Sequence, residues 1–292
     1  MEFRVLEYFL AVAREQSLSG AAEFLHLSQP TLSRQLRDLE EELGKPLFTR
    51  GNRGITLTEE GMLLRKRAKE ILDLVKKTEN EISLSDETIA GDVYIGAGES
   101  DAIRLVAKAA YALKKQHPDI QYHISSGNSV FVTEQLDKGL IDFGLLYGSV
   151  DRSKYESIKV PVTDSFGVLM RRDSELAEKA FITPDDLLDK PLIVSRQEAR
   201  DGWPILSWIT QDVSKLNIVA TYTLLFNGSL LVDEGLGYAI CFDKLINTTG
   251  DSSLCFRPLL PALETTASVV WKKYQVLTKA AEKFLEKLQA VF

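Results

Sequence analysis

Apolar residues in the first fifteen positions recur at helical spacing, with Val5, Leu6, Phe9, Leu10 and Ala13 on one side of a helix predicted over 3–15. Ser17-Leu18-Ser19 offers an N-cap, and a short second helix is predicted over 20–25, where Ala21 and Ala22 let a partner helix approach closely. His26-Leu27 makes the turn that follows. Ser28 caps a third helix, Pro30 occupies its first turn where a missing N–H costs little, and Gly44 ends it. Its apolar stripe is Leu32, Leu36, Leu39 and Leu43. Leu25, Leu39, Leu43 and Phe48 are expected in the core of this segment. Arg50-Gly51-Asn52-Arg53-Gly54 is a glycine-bounded turn from which Ile55-Thr56-Leu57 returns as a strand, a predicted β-wing.

From Thr58 the pattern becomes one long helix. Leu64, Ala68, Ile71, Val75, Thr78 and Ile82 alternate steps of four and three, a heptad seam expected to pair with a second copy of the chain. Residues 83–90 are polar and read as a hinge. Beyond Gly91 short apolar strands alternate with helices: strand 93–96, helix 102–115, strand 120–125, helix 130–138 and strand 141–146. The alternation resumes near Val168, at 191–195 and at 238–242, with a return strand at 266–272 and a closing helix over 277–292. Such βαβ alternation predicts a mostly parallel sheet with covered faces in a two-lobed α/β domain.

Composition adds limits. At 292 residues, 45% apolar and 26% charged, the chain suits more than one globular domain. No window approaches a membrane span, the N-terminus is interrupted by charge unlike a secretory signal, and two cysteines are too few for a disulfide framework, so a cytoplasmic protein is expected. Up to Lys66, nine basic residues stand against ten acidic ones, so charge alone does not mark this segment as nucleic-acid binding. Placement does. A short helix, a tight turn and a following helix is the geometry that lays the second helix in a major groove. At its start, Gln29 can bond adenine, Arg34 and Arg37 can reach guanine or phosphate, and Thr31 and Ser33 add short hydroxyls. Arg50 and Arg53 would carry the wing to the backbone or minor groove.

These residues also carry a resemblance. Ala21-Ala22, Leu25, Ser28-Gln29-Pro30, Ser33, Leu39-Glu40, Leu43-Gly44, Leu47-Phe48, Arg50, Arg53, Leu57-Thr58 and Gly61 stand in the order and spacing of the LysR-type transcriptional regulators, which the chain resembles. The resemblance implies a multidomain chain: an all-α winged helix-turn-helix domain over 1–58, a linker and dimerisation helix with hinge over 59–90, and an α/β effector-binding domain over 91–292. The last is implied to have the two-lobed periplasmic-binding-protein-like fold, lobe I at 91–161 plus 266–292 and lobe II at 162–265. Ser28, Gln29, Pro30, Thr31, Ser33, Arg34, Arg37, Arg50 and Arg53 become the expected DNA-binding set, and the Leu64 to Ile82 seam the dimerisation set. The implied partners are double-stranded DNA at an interrupted inverted repeat, a small-molecule effector, further copies as dimer and tetramer, and RNA polymerase.

Ligands in such sheets sit at strand ends facing helix N-termini. That geometry nominates Glu99, Ser100, Asn128, Ser129, Tyr147, Ser195, Arg196, Asn227 and Ser229 for the effector. The serines are equally suited to plain helix capping. An enzyme is not expected: His26, His117 and His123 form no metal-spaced pair, and neither a nucleophile elbow nor a phosphate loop occurs. No cofactor or metal is expected. The alternatives are a solute-binding or a redox-sensing protein of related fold. The first leaves the N-terminal ninety residues without a role. The second depends on Cys241, in a strand expected to be buried, and on Cys255, and neither has a basic residue immediately beside it in sequence.

Overall fold

Side-chain caps set where the second, third and fourth helices begin. In a computed structural model, which describes residues 1–51, 54–83, 89–197 and 204–292, α1 (Phe3–Glu15) stops where Gln16 turns left-handed. The Ser17 hydroxyl then accepts the Gly20 N–H at 3.2 Å and starts α2 (Leu18–Phe24), two residues earlier than expected. Ser28 accepts the Thr31 N–H at 3.3 Å and starts α3 (Gln29–Leu43), which Gly44 ends at φ 64°. Strands β1 (Phe48–Gly51) and β2 (Gly54–Leu57) pair antiparallel, Phe48 opposite Leu57. Thr58 caps α4 (Glu59–Ser83) by accepting the Gly61 N–H at 3.0 Å.

These elements form a unit over Met1–Ser83 around Leu6, Phe9, Val12, Leu32, Leu36 and Leu47. Three bonds fasten the wing to it: Ile55 N–H donates to the Gln16 carbonyl at 3.0 Å, and Glu40 Oε1 accepts the N–H groups of Leu47 and Phe48 at 2.7 and 3.2 Å. Glu40, one of the ten acidic residues up to Lys66, is thus a structural anchor. Leu43 corrects the expected core: it is 41% exposed, because α3 outruns the elements that cover its stripe.

The seam of α4 also needs correction in its first half. Leu64, Ala68 and Ile71 pack against the core just described, and Ala68 is wholly buried there, so it cannot belong to a seam between chains. Helical spacing identified the apolar face correctly but could not say whose surface covers it. Val75 is half-buried, whereas Thr78 and Ile82 are exposed. Leu63 and Leu74, which the heptad pattern passed over, are exposed large apolar residues. They stand three helical turns apart and so share a face.

The second unit, Leu84–Phe292, holds two sheets. β3 (Gly91–Ala97), α5 (Ile103–Gln116), β4 (Ile120–Ser126), α6 (Ser129–Asp137), β5 (Phe143–Tyr147) and β6 (Tyr155–Lys159) come first. The chain then enters the other sheet with β7 (Asp164–Arg171), β8 (Leu192–Ser195), α7 (Pro204–Ile209), β9 (Ile218–Tyr222) and α8 (Leu225–Asp233). β10 (Tyr238–Phe242), β11 (Leu254–Pro258) and β12 (Glu264–Thr265) complete that sheet, and β13 (Ala267–Lys272) and α9 (Lys279–Val291) return to the first. Strand orders are β4-β3-β5-β13-β6 and β11-β7-β10-β8-β9, with β12 on β7. The two crossings lie side by side, where Val160 N–H donates to the Ala267 carbonyl at 3.0 Å.

Both sheets are mixed rather than mostly parallel. β3, β4 and β5 run parallel, as do β8, β9 and β10, but β13 is antiparallel to β5 and β6, and β7 to β10 and β11. Each antiparallel strand accompanies a crossing between the sheets. Of the strands the pattern missed, β12 has only two residues, and β6, β9 and β11 are at sheet edges, where solvent on one side admits polar residues and shortens the apolar run.

Candidate nucleic-acid interface and ligand cleft

On α3, Pro30, Arg34 and Arg37 recur at steps of four and three and are exposed, while Leu32, Leu36 and Leu39 face the core. Neither arginine makes an ion pair among the described residues, so Arg37 is not spent on the neighbouring Asp38. Ser28 is the N-cap, and its hydroxyl and that of Thr31 lie 2.8 Å apart. Gln29 is exposed at the first helical position, with Oε1 accepting from the Ser19 hydroxyl at 3.3 Å. That bond is long enough to be exchanged for a base edge. Ser33 is half-buried. The positive end of the α3 dipole and two free guanidinium groups thus share one surface. Arg53 and the side chain of Arg50 lie outside the described residues, as does most of the expected hinge.

In the second unit, the carboxyl ends of the parallel strands of both sheets face one cavity of about 680 Å³. Gly98 and Glu99 follow β3, Gly127 and Asn128 follow β4, and Tyr147 ends β5; Ser195, Tyr222 and Phe242 end β8, β9 and β10 opposite them. That is the crevice in which open α/β sheets hold ligands. Of the nine residues expected there, Glu99, Asn128, Ser129, Tyr147 and Ser195 line it. Four do not. Asn227 and Ser229 lie inside α8 rather than at a strand end, and Ser229 donates to the Phe226 carbonyl of its own helix at 2.7 Å. Arg196 is exposed and outside the lining, and Ser100 is buried behind it.

Polar contacts cross the cleft. Leu225 N–H, at the start of α8, donates to the Glu99 carboxylate, and Ser129 N–H, at the start of α6, donates to Gln197 Oε1 at 3.3 Å. Asn128 Oδ1 caps α6 by accepting the Phe131 N–H at 3.0 Å. The Tyr147 phenol donates to the buried Asp164. Burial holds the Asp164 carboxyl above its ordinary 3.8, against the lowering effect of that hydrogen bond. Burial and the Asp164 bond likewise push the Tyr147 phenol up. Phe166, Phe242 and Tyr147 form an aromatic cluster, with ring centroids 4.4 and 4.9 Å apart. Gln197, Tyr222, Phe166 and Phe242 escaped the sequence reading. Phe242 ends a strand that was recognised, so the rule that found Tyr147 would have found it too; Tyr222 ends an edge strand that was not.

Cys241 is buried in the cleft wall and desolvation drives its thiol far up. Cys255 is also raised by burial, although Arg257 and Arg172 oppose the shift in space. Neither thiol is held near the thiolate that redox sensing needs. Among the described residues no helix is long and apolar enough to cross a membrane.

Residues 3–62 match the description "Bacterial regulatory helix-turn-helix protein, lysR family", and residues 86–292 match "LysR substrate binding domain". The Hca operon transcriptional activator HcaR of Escherichia coli (strain K12) is 30% identical over 279 residues, 94% of this chain and 92% of that protein. The HTH-type transcriptional regulator BsdA of Bacillus subtilis (strain 168) is 28% identical over 298 residues, 98% of this chain and 99% of that one. The crystal structure of CbnR, a LysR family transcriptional regulator, shares the fold with a TM-score of 0.78 at 18% identity, covering 100% of this chain and 99% of that one.

Proposed function

The chain belongs to the LysR family of DNA-binding transcriptional regulators, and from that premise we propose how its two units divide the work. Residues 1–58 form the winged helix-turn-helix, 59–90 the linker helix and hinge, and 91–292 the effector domain. Two copies grip an interrupted inverted repeat, with Gln29, Thr31, Ser33, Arg34 and Arg37 in each major groove and Arg50 and Arg53 carried by the wing. The observation that carries this reading is the exposed Pro30, Arg34 and Arg37 face, with both guanidinium groups unpaired at the head of a capped helix. Leu63 and Leu74, together with Val75, Thr78 and Ile82, take the dimer contact in place of the inward-packed half of the seam.

Pairs of dimers bend the DNA between two half-sites, and a small molecule in the cleft shifts the relative population of lobe arrangements and so the access of RNA polymerase. The protein acts in the cytoplasm as a regulator rather than an enzyme. Footprinting across its own upstream region, with salt varied, tests the DNA half of this reading. A protected inverted repeat that weakens as salt rises and is lost in Arg34→Ala is the expected result. Protection that is indifferent to Arg34→Ala removes that residue from the base-reading set, and no protection at any salt refutes the target.

A further inference from the structure

Anionic ligands of two-lobed α/β domains are held by helix N-termini, whose free N–H groups and dipole favour negative charge. In this cleft the N-termini of α8 and α6 are already taken. The α8 N-terminus holds the carboxylate of Glu99, and the α6 N-terminus holds the side-chain oxygens of Asn128 and Gln197. An anion would have to displace Glu99 and then lie beside it.

The rest of the lining points the same way. Glu264 adds a second carboxylate, and among the described lining residues there is neither lysine nor arginine. Outside the lining, Arg104 pairs with Asp101, and Arg196, between the lining residues Ser195 and Gln197, is exposed. The Tyr147, Phe242 and Phe166 cluster lines the same cleft, and ring faces attract cations. The Ser100 hydroxyl is buried beside the Tyr147 phenol, next to the site.

We propose that the effector is an organic cation, a protonated amine on an apolar or aromatic body, with Glu99 and Glu264 as counter-charges and the aromatic cluster as the wall for its body. The proposal rests on the reading of this cleft as the effector site. Binding the ammonium group draws Glu99 from the α8 N-terminus toward the ligand, which couples occupancy to the contact that bridges the lobes.

Calorimetric titration of the full-length protein with phenethylamine, phenethyl alcohol and hydrocinnamate tests it, since the three share one aromatic body and differ in charge. The amine is expected to bind roughly tenfold more tightly than the alcohol, the advantage of one charge-assisted contact, and hydrocinnamate weakest. Glu99→Gln, which keeps an oxygen for the Leu225 N–H and so spares the fold, is expected to remove most of the amine's advantage. An advantage unchanged in both Glu99→Gln and Glu264→Gln overturns the proposal. Hydrocinnamate binding most tightly, with that binding lost in Phe242→Ala, overturns the cationic class and leaves the cleft reading standing. Binding of the probes that ignores Phe242→Ala, or no binding by any of the three, overturns the cationic class and the cleft reading together.

Discussion

Gly61 is the position where two familiar effects oppose each other and the structure decides the sign. An alanine Cβ there would lie 2.1 Å from the Leu47 carbonyl oxygen, 3.0 Å from Leu57 Cδ2 and 3.1 Å from the Leu47 carbonyl carbon. A comfortable carbon–oxygen contact is about 3.3 Å, so the start of α4 and the chain before β1 must part by roughly 1 Å. Such overpacking costs about 1–3 kcal/mol. The displaced carbonyl also accepts the Thr58 N–H at 3.0 Å, and losing that bond costs about 1 kcal/mol more. Helix propensity favours alanine over glycine by at most about 1 kcal/mol. The net is a loss of about 1–3 kcal/mol, and each kcal/mol lowers the melting point of a domain this size by about 4–8 °C. All three tryptophans, Trp203, Trp208 and Trp271, belong to the second unit, so their fluorescence follows that unit and far-UV circular dichroism follows both. Gly61→Ala is expected to lower the transition seen by circular dichroism, move the tryptophan transition less, and weaken operator binding. Gly44→Ala is the companion: its φ of 64° is strained for alanine but nothing lies within 4 Å, so about 1 kcal/mol is expected. Gly61→Ala melting at or above the parent protein refutes the close-approach argument.

Arg34→Ala should lose about 1–3 kcal/mol of discrimination between operator and random DNA, whereas Arg37→Ala, if it holds phosphate, should weaken both and flatten the salt dependence by about one unit of slope. Anisotropy titrations across salt separate the two, and identical behaviour of the variants refutes the division of roles. Leu63→Glu with Leu74→Glu should yield folded monomers in sedimentation, while Ala68→Asp should unfold the first unit, because only the former pair is exposed; an intact dimer in the double variant sinks the reassigned contact. Asp164 titrates above its ordinary 3.8 when folded, so its protonated form is favoured by folding. Its contribution is present at low pH and falls as pH rises from about 3.8 upward through the folded value. Asp164→Asn should remove that fall, so a parent-minus-variant stability difference that stays flat over this range contradicts the assignment.

Much of the first unit was legible because its signals are local. Ser17, Ser28 and Thr58 each cap a helix by a bond three residues away, Gly44 stops one, and Gly51 and Gly54 bracket the wing. These need no knowledge of the rest of the chain, and neither does the alternation that announced β3 to β5. The order of residues from Ala21 to Gly61 carried the family on its own. Tertiary structure decided everything that depends on who covers whom. The stripe Leu64, Ala68 and Ile71 has the same spacing whether a second chain or α1 lies against it, and burial of Ala68 shows that it is the latter. The strands β6, β9 and β11 form because neighbours offer them hydrogen bonds, not because their own residues insist. The cleft is the extreme case. Glu99 meets Leu225 across 126 positions of sequence, and Tyr147 finds Asp164 only because β5 and β7 lie on either side of a crossing. Local bonds are written at fixed short spacings; contacts between lobes depend on the path of the whole chain, which no spacing encodes.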